Sequence, residues 1–214
     1  IYDAVVAIRN AIEAKGGVIS AGLETFAAAI AALPSPPSAG QIIYGKAEVI
    51  TITPYDATVK TIGDRDFQSW THAIGLIIEN GFETIEQYAF YQWSAATSLV
   101  LPSTLKTIGT YAFSGWSSFT GTIIVPDSVT SIGANAFSGN PLMQGIKFGN
   151  GVTSLVSGVL ALSPALKTID IGTGVTSIAA NTVTHGQQDK QTKCRTTTPP
   201  TLPRNYAFNG ATAH

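Results

Sequence analysis

Read for its apolar positions, the chain changes period along its length. Ile1, Val5, Ile8 and Ile12 step by four, three and four, and Leu23, Phe26, Ile30 and Leu33 step by three, four and three. Positions three and four apart share one face of a helix, so both series predict amphipathic helices. Gly16-Gly17 separates them, and residues 1–33 are expected to form an α-helical hairpin. Pro34 ends the second series and opens a Pro-rich linker over 34–40. Residues 41–54, with Ile42-Ile43-Tyr44 and Val49-Ile50-Thr51-Ile52, then read as a β-hairpin that caps whatever follows.

From residue 55 a longer period takes over. Ile62, Ile85, Ile108, Ile132, Leu155 and Ile178 lie 23, 23, 24, 23 and 23 residues apart. Phe67, Phe90, Phe113 and Phe137, continued by Leu160 and Val183, repeat the same steps. Two independent markers with one period define a repeat. Each copy carries a second apolar segment after its Phe: Leu76-Ile77-Ile78, Leu99-Val100-Leu101, Ile123-Ile124-Val125, Ile146-Lys147-Phe148 and Ile169-Asp170-Ile171. These are short and rich in β-branched residues, which predicts strands. Pro102 and Pro126 end two of them, and Gly149 to Gly151 turns a third. The single 24-residue step places its extra residue near Gly121, between Phe119 and Ile123, where a loop or bulge has to absorb it. A coil of this size cannot bury a core alone, so the copies must stack. Residues 55–192 are therefore expected to form a β-rich repeat solenoid of about six coils, the first four well formed and the last two eroded. Residues 193–214 supply a C-terminal strand and a partial repeat as a cap.

The segments Gly109-Thr110-Tyr111-Ala112-Phe113-Ser114-Gly115 and Gly133-Ala134-Asn135-Ala136-Phe137-Ser138-Gly139, with Val125-Pro126-Asp127-Ser128-Val129-Thr130-Ser131-Ile132, resemble the BspA-like leucine-rich repeats of bacterial surface proteins. The resemblance recurs in register over about residues 55 to 185, and the tail from Cys194 through Pro199-Pro200 to Ala207-Phe208 is similar to the terminal element of such proteins. It implies a curved, right-handed leucine-rich-repeat solenoid with a β-sheet on one face. It also implies a role in adhesion to host proteins, host cells or other microbes. Separately, Arg9 to Gly16 with Phe26 to Ile30 resembles a short helical module that precedes variable domains in phage and prophage tail-associated proteins.

Composition narrows the function. Charged residues make up 12% of the chain and the net charge is -1, so no positive field exists to hold phosphates, and nucleic acid is not an expected partner. No apolar run approaches the ~18 residues a membrane span needs, and none is expected to insert. The chain opens on Ile1 rather than Met, and is expected to be a fragment or a processed product. The lone Cys194 cannot close an internal disulfide and is read as a buried or merely tolerated residue rather than a functional thiol.

Catalytic chemistry finds little support. His72, His185 and His214 fall in no metal-ligand spacing, and Asp64-Arg65-Asp66 offers too few oxygens for a calcium loop. A nucleophile elbow and a phosphate-cradling Gly-rich loop are both missing from the sequence. No enzyme activity, metal or cofactor is expected. Trp70, Trp93 and Trp116 are 23 apart and should form a ladder. One reading is a sugar-binding platform. The favoured reading is core, because later copies place Asn140 and Ser163 in the same slot, and the resembling repeats put a small or polar inward residue there.

Two surfaces remain as candidates for binding. Tyr88 and Tyr111 sit two before the repeat Phe, where Arg65 and Asn135 replace them, with Tyr91 close by. On the strands, the middle residues Ile77, Val100, Ile124 and Lys147, then Asp170, should face solvent. The first three make an apolar strip beside Thr and Ser ladders, which either contacts a partner or is covered by another segment. The leading expectation is a secreted or cell-surface adhesion module whose partner is a host or microbial surface protein or glycan. The alternatives are a receptor-binding or structural protein of a phage or prophage virion, and a spacer domain of a larger surface protein.

Overall fold

A computed structural model describes residues 41–44, 49–54, 57–183 and 193–195. The chain divides into units 1–36 and 37–214, and every described residue lies in the second. The expected helical hairpin over 1–33 and the linker over 34–40 lie outside the described residues.

The repeat period is realised as stacked coils, each presenting two strand faces and one face of turns. On the first strand face β1 (Gln41–Tyr44) runs antiparallel to β2 (Val49–Thr53). β2 then pairs in parallel with β4 (Gly75–Ile78), and β4 with β6 (Ser98–Val100). The same face continues as a second sheet of β8 (Thr122–Ile124), β10 (Gly145–Lys147), β12 (Thr168–Asp170) and β14 (Lys193–Arg195), all parallel. The other strand face holds β3 (Thr61–Ile62), β5 (Thr84–Ile85), β7 (Thr107–Ile108) and β9 (Ser131–Ile132) in one parallel sheet. β11 (Ser154–Leu155) and β13 (Ser177–Ile178) form a further parallel pair on that face.

The extra residue of the 24-residue step acts where the spacing places it. β6 and β8 belong to different sheets, and Gly121 bends the chain just before β8. The inserted residue interrupts pairing on this face alone, between β6 and β8, while β7 and β9 of the same two coils stay paired on the other.

Strands end because the next residues turn. Leu105 N donates to Pro102 O at 3.2 Å and Val129 N to Pro126 O at 3.2 Å. Val152 N and Val175 N close the same turn onto Gly149 O and Gly172 O. Proline suits this corner because it has no N–H to offer the ladder, while its carbonyl still accepts. Side chains then alternate in and out along each strand. Ile62, Ile85, Ile108, Ile132, Leu155 and Ile178 point inward from one face, and Leu76, Ile78, Ile123, Val125, Ile146, Phe148, Ile169 and Ile171 from the other.

Phe67, Phe90, Phe113 and Phe137 fill the interior as one column, with ring centroids 5.4, 5.4 and 5.7 Å apart and planes within 8°. Each such pair adds about 0.5–1.5 kcal/mol beyond its area burial. The coils approach closely enough to demand glycine in places. A Cβ on Gly109 would meet the Glu86 carbonyl carbon at 2.4 Å, and one on Gly133 the Thr110 nitrogen at 2.4 Å. That contact is the physical reason for Ile-Gly in the third and fourth copies.

Candidate binding surface

The third face of each coil is a ladder of turns. Arg65, Phe67 and Ser69 donate their N–H groups to Gln87, Ala89 and Tyr91 carbonyls of the next coil, at 3.2, 2.9 and 2.7 Å. Tyr88, Phe90 and Gln92 repeat this onto Thr110, Ala112 and Ser114. The backbone keeps all three donors aimed one way by placing the first and last of them in the left-handed region. The first column reads Arg65 (φ 57°), Tyr88 (55°), Tyr111 (56°), Asn135 (56°), Gly158 (73°) and Asn181 (58°). The last reads Ser69, Gln92, Gly115, Gly139 and Leu162, again all at positive φ.

This geometry ranks the residues in the first column. Glycine meets a positive φ at no steric cost and asparagine at little, whereas other L-residues are held there at about 1–2 kcal/mol. Gly158, Asn135 and Asn181 are therefore the inexpensive solutions, and Arg65, Tyr88 and Tyr111 the expensive ones. The three bulky residues stack on one another. Tyr88 and Tyr111 lie 5.1 Å apart with planes 8° from parallel, and the Arg65 guanidinium sits 4.6 Å over the other face of the stack at Tyr88. Tyr91 packs edge-on to both rings, at 5.4 Å from Tyr88 and 6.3 Å from Tyr111. All three tyrosines are half-buried. Tyr88, Tyr91 and Tyr111 thus form one cluster. The sequence reading missed Arg65 as a member, although it shares the column.

The strand-face candidates fall in one row by register. Thr51 pairs with Ile77, Ile77 with Val100, Ile124 with Lys147, and Lys147 with Asp170. Val100 is 52% and Ile124 64% exposed, so the apolar strip faces outward; Ile77 is half-buried and Lys147 exposed. The seam between β6 and β8 runs between Val100 and Ile124. The Thr and Ser ladder of Thr61, Thr84, Thr107, Ser131, Ser154 and Ser177 belongs to the other strand face, so it does not border this strip as the sequence reading expected. Period-two alternation gives which way a side chain faces, not which sheet holds the strand. Ile74, Leu142 and Leu162 are further exposed apolar residues that spacing did not single out.

The tryptophan column is core. Trp93 and Trp116 are buried and Trp70 half-buried, with centroids 5.9 and 5.6 Å apart. Trp93 Nε1 donates to Phe67 O at 2.6 Å and Trp116 Nε1 to Phe90 O at 2.8 Å. Where the column becomes Asn140, its Nδ2 donates to Phe113 O at 3.2 Å and Phe137 O at 2.9 Å, while its Oδ1 accepts from Trp116 N at 2.8 Å. Asn140 therefore makes the same donation to the preceding coil's Phe carbonyl as an indole does. Ser163 continues the column, buried. No sugar platform is available from Trp93 or Trp116.

Charge near the tyrosine cluster is modest. Arg65 pairs with Asp64 at 2.6 Å, and Glu83 lies between Lys60 and Lys106 of the flanking coils. The Lys106 ammonium, by hydrogen bond and then by charge, holds the Glu83 carboxyl below its ordinary value. Among the described residues no group of three His, Cys, Asp or Glu side chains is placed to hold a metal ion, and no helix is long and apolar enough to cross a membrane.

A family model, the BspA type leucine rich repeat region, matches residues 48–188 in six copies. Among solved structures, the chain is similar to the pneumococcal vaccine antigen PcpA, at 22% identity and a TM-score of 0.57 over 70% of this chain. It covers 36% of that protein, so only part of the relative's length has a counterpart here. A leucine-rich cell surface protein of Faecalibacterium prausnitzii matches at 22% identity and a TM-score of 0.42, covering 69% of this chain and 53% of its own. A leucine-rich repeat protein of T. pallidum matches at 17% identity and a TM-score of 0.42, covering 67% and 87%. Comparison with curated protein sequences finds no match.

Proposed function

Because this chain belongs to the BspA type leucine-rich repeat family, we propose that it is a non-catalytic binding module that grips a protein partner through the turn face of its first three coils. An extracellular or cell-surface location goes with this reading, through the resemblance to bacterial surface repeats. The observation that carries it is the left-handed column. Arg65, Tyr88 and Tyr111 occupy positions where glycine or asparagine, present in the same column at Asn135, Gly158 and Asn181, would hold the same backbone more cheaply. Strain retained at a surface site points to a use for the side chains that hold it.

The chemistry of the cluster favours protein over glycan. One face of Tyr88 is covered by Arg65 and the other by Tyr111, so Tyr88 offers a pyranose ring no face to stack on, and of this pair only the outer face of Tyr111 is left. What it presents is ring edges and phenolic hydroxyls on a rigid base, the kind of contact tyrosine makes in protein interfaces. The test is a binding screen of the full chain against matrix proteins, mucins and glycans, run beside a Tyr88→Gly/Tyr111→Gly variant. A protein hit that disappears in the variant supports the proposal. Binding confined to glycans, or protein binding that the variant retains, refutes it.

A second contact on the strand face rests on the exposure of Val100 and Ile124, which leaves an apolar strip in water. Val100→Lys and Ile124→Lys should weaken binding without lowering the melting temperature if the strip is used. Unchanged binding removes it from the interface.

A further inference from the structure

Asn80, Ser103, Asp127, Asn150 and Thr173 occupy one corner of successive coils, directly after the strands of the first face, at steps of 23, 24, 23 and 23. Their side chains lace the coils together. Asn80 Oδ1 accepts from Ser103 N at 2.9 Å and from its hydroxyl at 3.0 Å. Asp127 Oδ1 accepts from Asn150 N at 2.8 Å, and Asn150 Oδ1 accepts from Thr173 N at 3.0 Å and its hydroxyl at 3.1 Å. Two of these corners read Asn-Gly, Asn80-Gly81 and Asn150-Gly151, and both asparagines are exposed to water.

Asparagine before glycine is chemically labile, because a backbone nitrogen with no neighbouring Cβ reaches the side-chain carbonyl with least hindrance. The two sites differ at that nitrogen. Gly81 N donates to the Thr104 hydroxyl of the next coil at 2.9 Å, and Thr104 in turn donates to Phe82 O at 2.7 Å. The position equivalent to Thr104 in the coil after Gly151 is Gly174, which has no side chain to offer. We infer that Asn150 is a site of spontaneous deamidation in the folded protein, while Asn80 is guarded by Thr104.

The chemistry balances with water as the only co-reactant. Gly151 N attacks Asn150 Cγ; the N–Cγ bond forms, the Cγ–Nδ2 bond breaks, and the amide proton leaves with that nitrogen as ammonia. Water then opens the five-membered imide at one of its two carbonyls, giving aspartate or isoaspartate. Aspartate keeps the corner intact, since Asp127 already fills the equivalent position as an acceptor. Isoaspartate lengthens the main chain by one carbon and pulls the acceptor away from Thr173. Where isoaspartate forms, the modification is thus a slow loosening of the contact between the fifth and sixth coils.

The test incubates the purified full chain at mildly alkaline pH and follows the tryptic peptides 66–106 and 148–167 by mass spectrometry. Each holds one asparagine, so a gain of about one mass unit assigns the site, and isoaspartyl methylation reports the isomer. Asn150 should convert about tenfold faster than Asn80, the factor expected of one hydrogen bond to the attacking nitrogen. Thr104→Val, which keeps the shape and removes the acceptor, should raise the Asn80 rate toward that of Asn150. Thr104→Ser should leave it slow. Circular dichroism confirms that both variants fold. Equal rates at the two sites in the parent chain, or an Asn80 rate that Thr104→Val does not change, would overturn the inference.

Discussion

Replacing Tyr111 by alanine and by glycine tests the left-handed column directly, because both changes delete the same ring and differ only in what remains on the backbone. Either variant loses the stack on Tyr88 at 5.1 Å and the edge contact of Tyr91, a loss common to both. At an ordinary exposed position the glycine variant would then be the less stable by about 0.5–1 kcal/mol, through its larger loss of chain freedom on folding. At φ 56° the order should invert. Alanine keeps a Cβ against the following carbonyl at about 1–2 kcal/mol, which glycine lacks, so the glycine variant should be the more stable by roughly 1 kcal/mol. For a domain of this size that is a difference of about 2–4 °C in Tm. The assay is thermal unfolding followed by circular dichroism. Val100→Ala and Val100→Gly on exposed β6 serve as the control pair with the usual order. If Tyr111→Gly melts below Tyr111→Ala, as it should at Val100, then Tyr111 holds no backbone strain and the argument for a functional reason behind it fails.

Other consequences follow from the interior. Asn140→Ala removes one acceptor and two donations at a buried site, and should destabilise by about 3 kcal/mol or more, since each orphaned group costs about 1–3 kcal/mol; a chemical denaturation midpoint close to the parent's would contradict this. Trp93→Phe strands the Phe67 carbonyl and should cost at least about 2 kcal/mol in the same measurement. Gly109→Ala forces a Cβ against the Glu86 backbone and should lower stability by about 1–3 kcal/mol or prevent folding. Glu83 has a depressed carboxyl value, so its contribution is present above the unfolded value and is lost as pH falls through the folded one. Glu83→Gln should therefore differ most from the parent above about pH 4.5 and converge on it as pH falls below that value, and high salt should erase the difference, because the ion pairs are exposed.

Much of the fold was legible because one period recurs in two markers. The 23-residue steps place Ile62, Ile85 and Ile108 in one inward row and the phenylalanines in another, and alternation sets Val100 and Ile124 outward. The tryptophan column was legible too, since only an interior slot serves Trp116, Asn140 and Ser163 alike. Alternation, in contrast, carries no information about which of two sheets a short strand joins, and so the Thr and Ser ladder was assigned to the wrong neighbourhood. The left-handed column was present in the sequence as Asn135, Gly158 and Asn181 aligned with Tyr88 and Tyr111. Its meaning needs the ladder of turn amides, which relates residues of different coils. The inclusion of Arg65 in the cluster follows from the same column once the stacking is known.

The two columns change character at one boundary. Inside, Trp116 gives way to Asn140; outside, Tyr111 gives way to Asn135, and the 24-residue step lies between these coils. The inner exchange preserves a hydrogen bond to the coil before it, so packing explains it. The outer exchange preserves only the backbone angle, so packing does not demand the tyrosines that precede it. Nor does the extra residue disturb the turn face, because Phe113 and Phe137 still stack across it at 5.7 Å and 6°. A ring at position 135 should therefore continue the Tyr88–Tyr111 stack. Asn135→Tyr would add about 1–2 kcal/mol of left-handed strain against about 0.5–1.5 kcal/mol of stacking, a near balance that predicts little change in Tm. If the tyrosine cluster is the contact surface, this variant should alter affinity for a partner that Tyr88→Gly/Tyr111→Gly abolishes. An Asn135→Tyr protein that folds as the parent does and binds that partner with unchanged affinity would confine the interface to the first three coils.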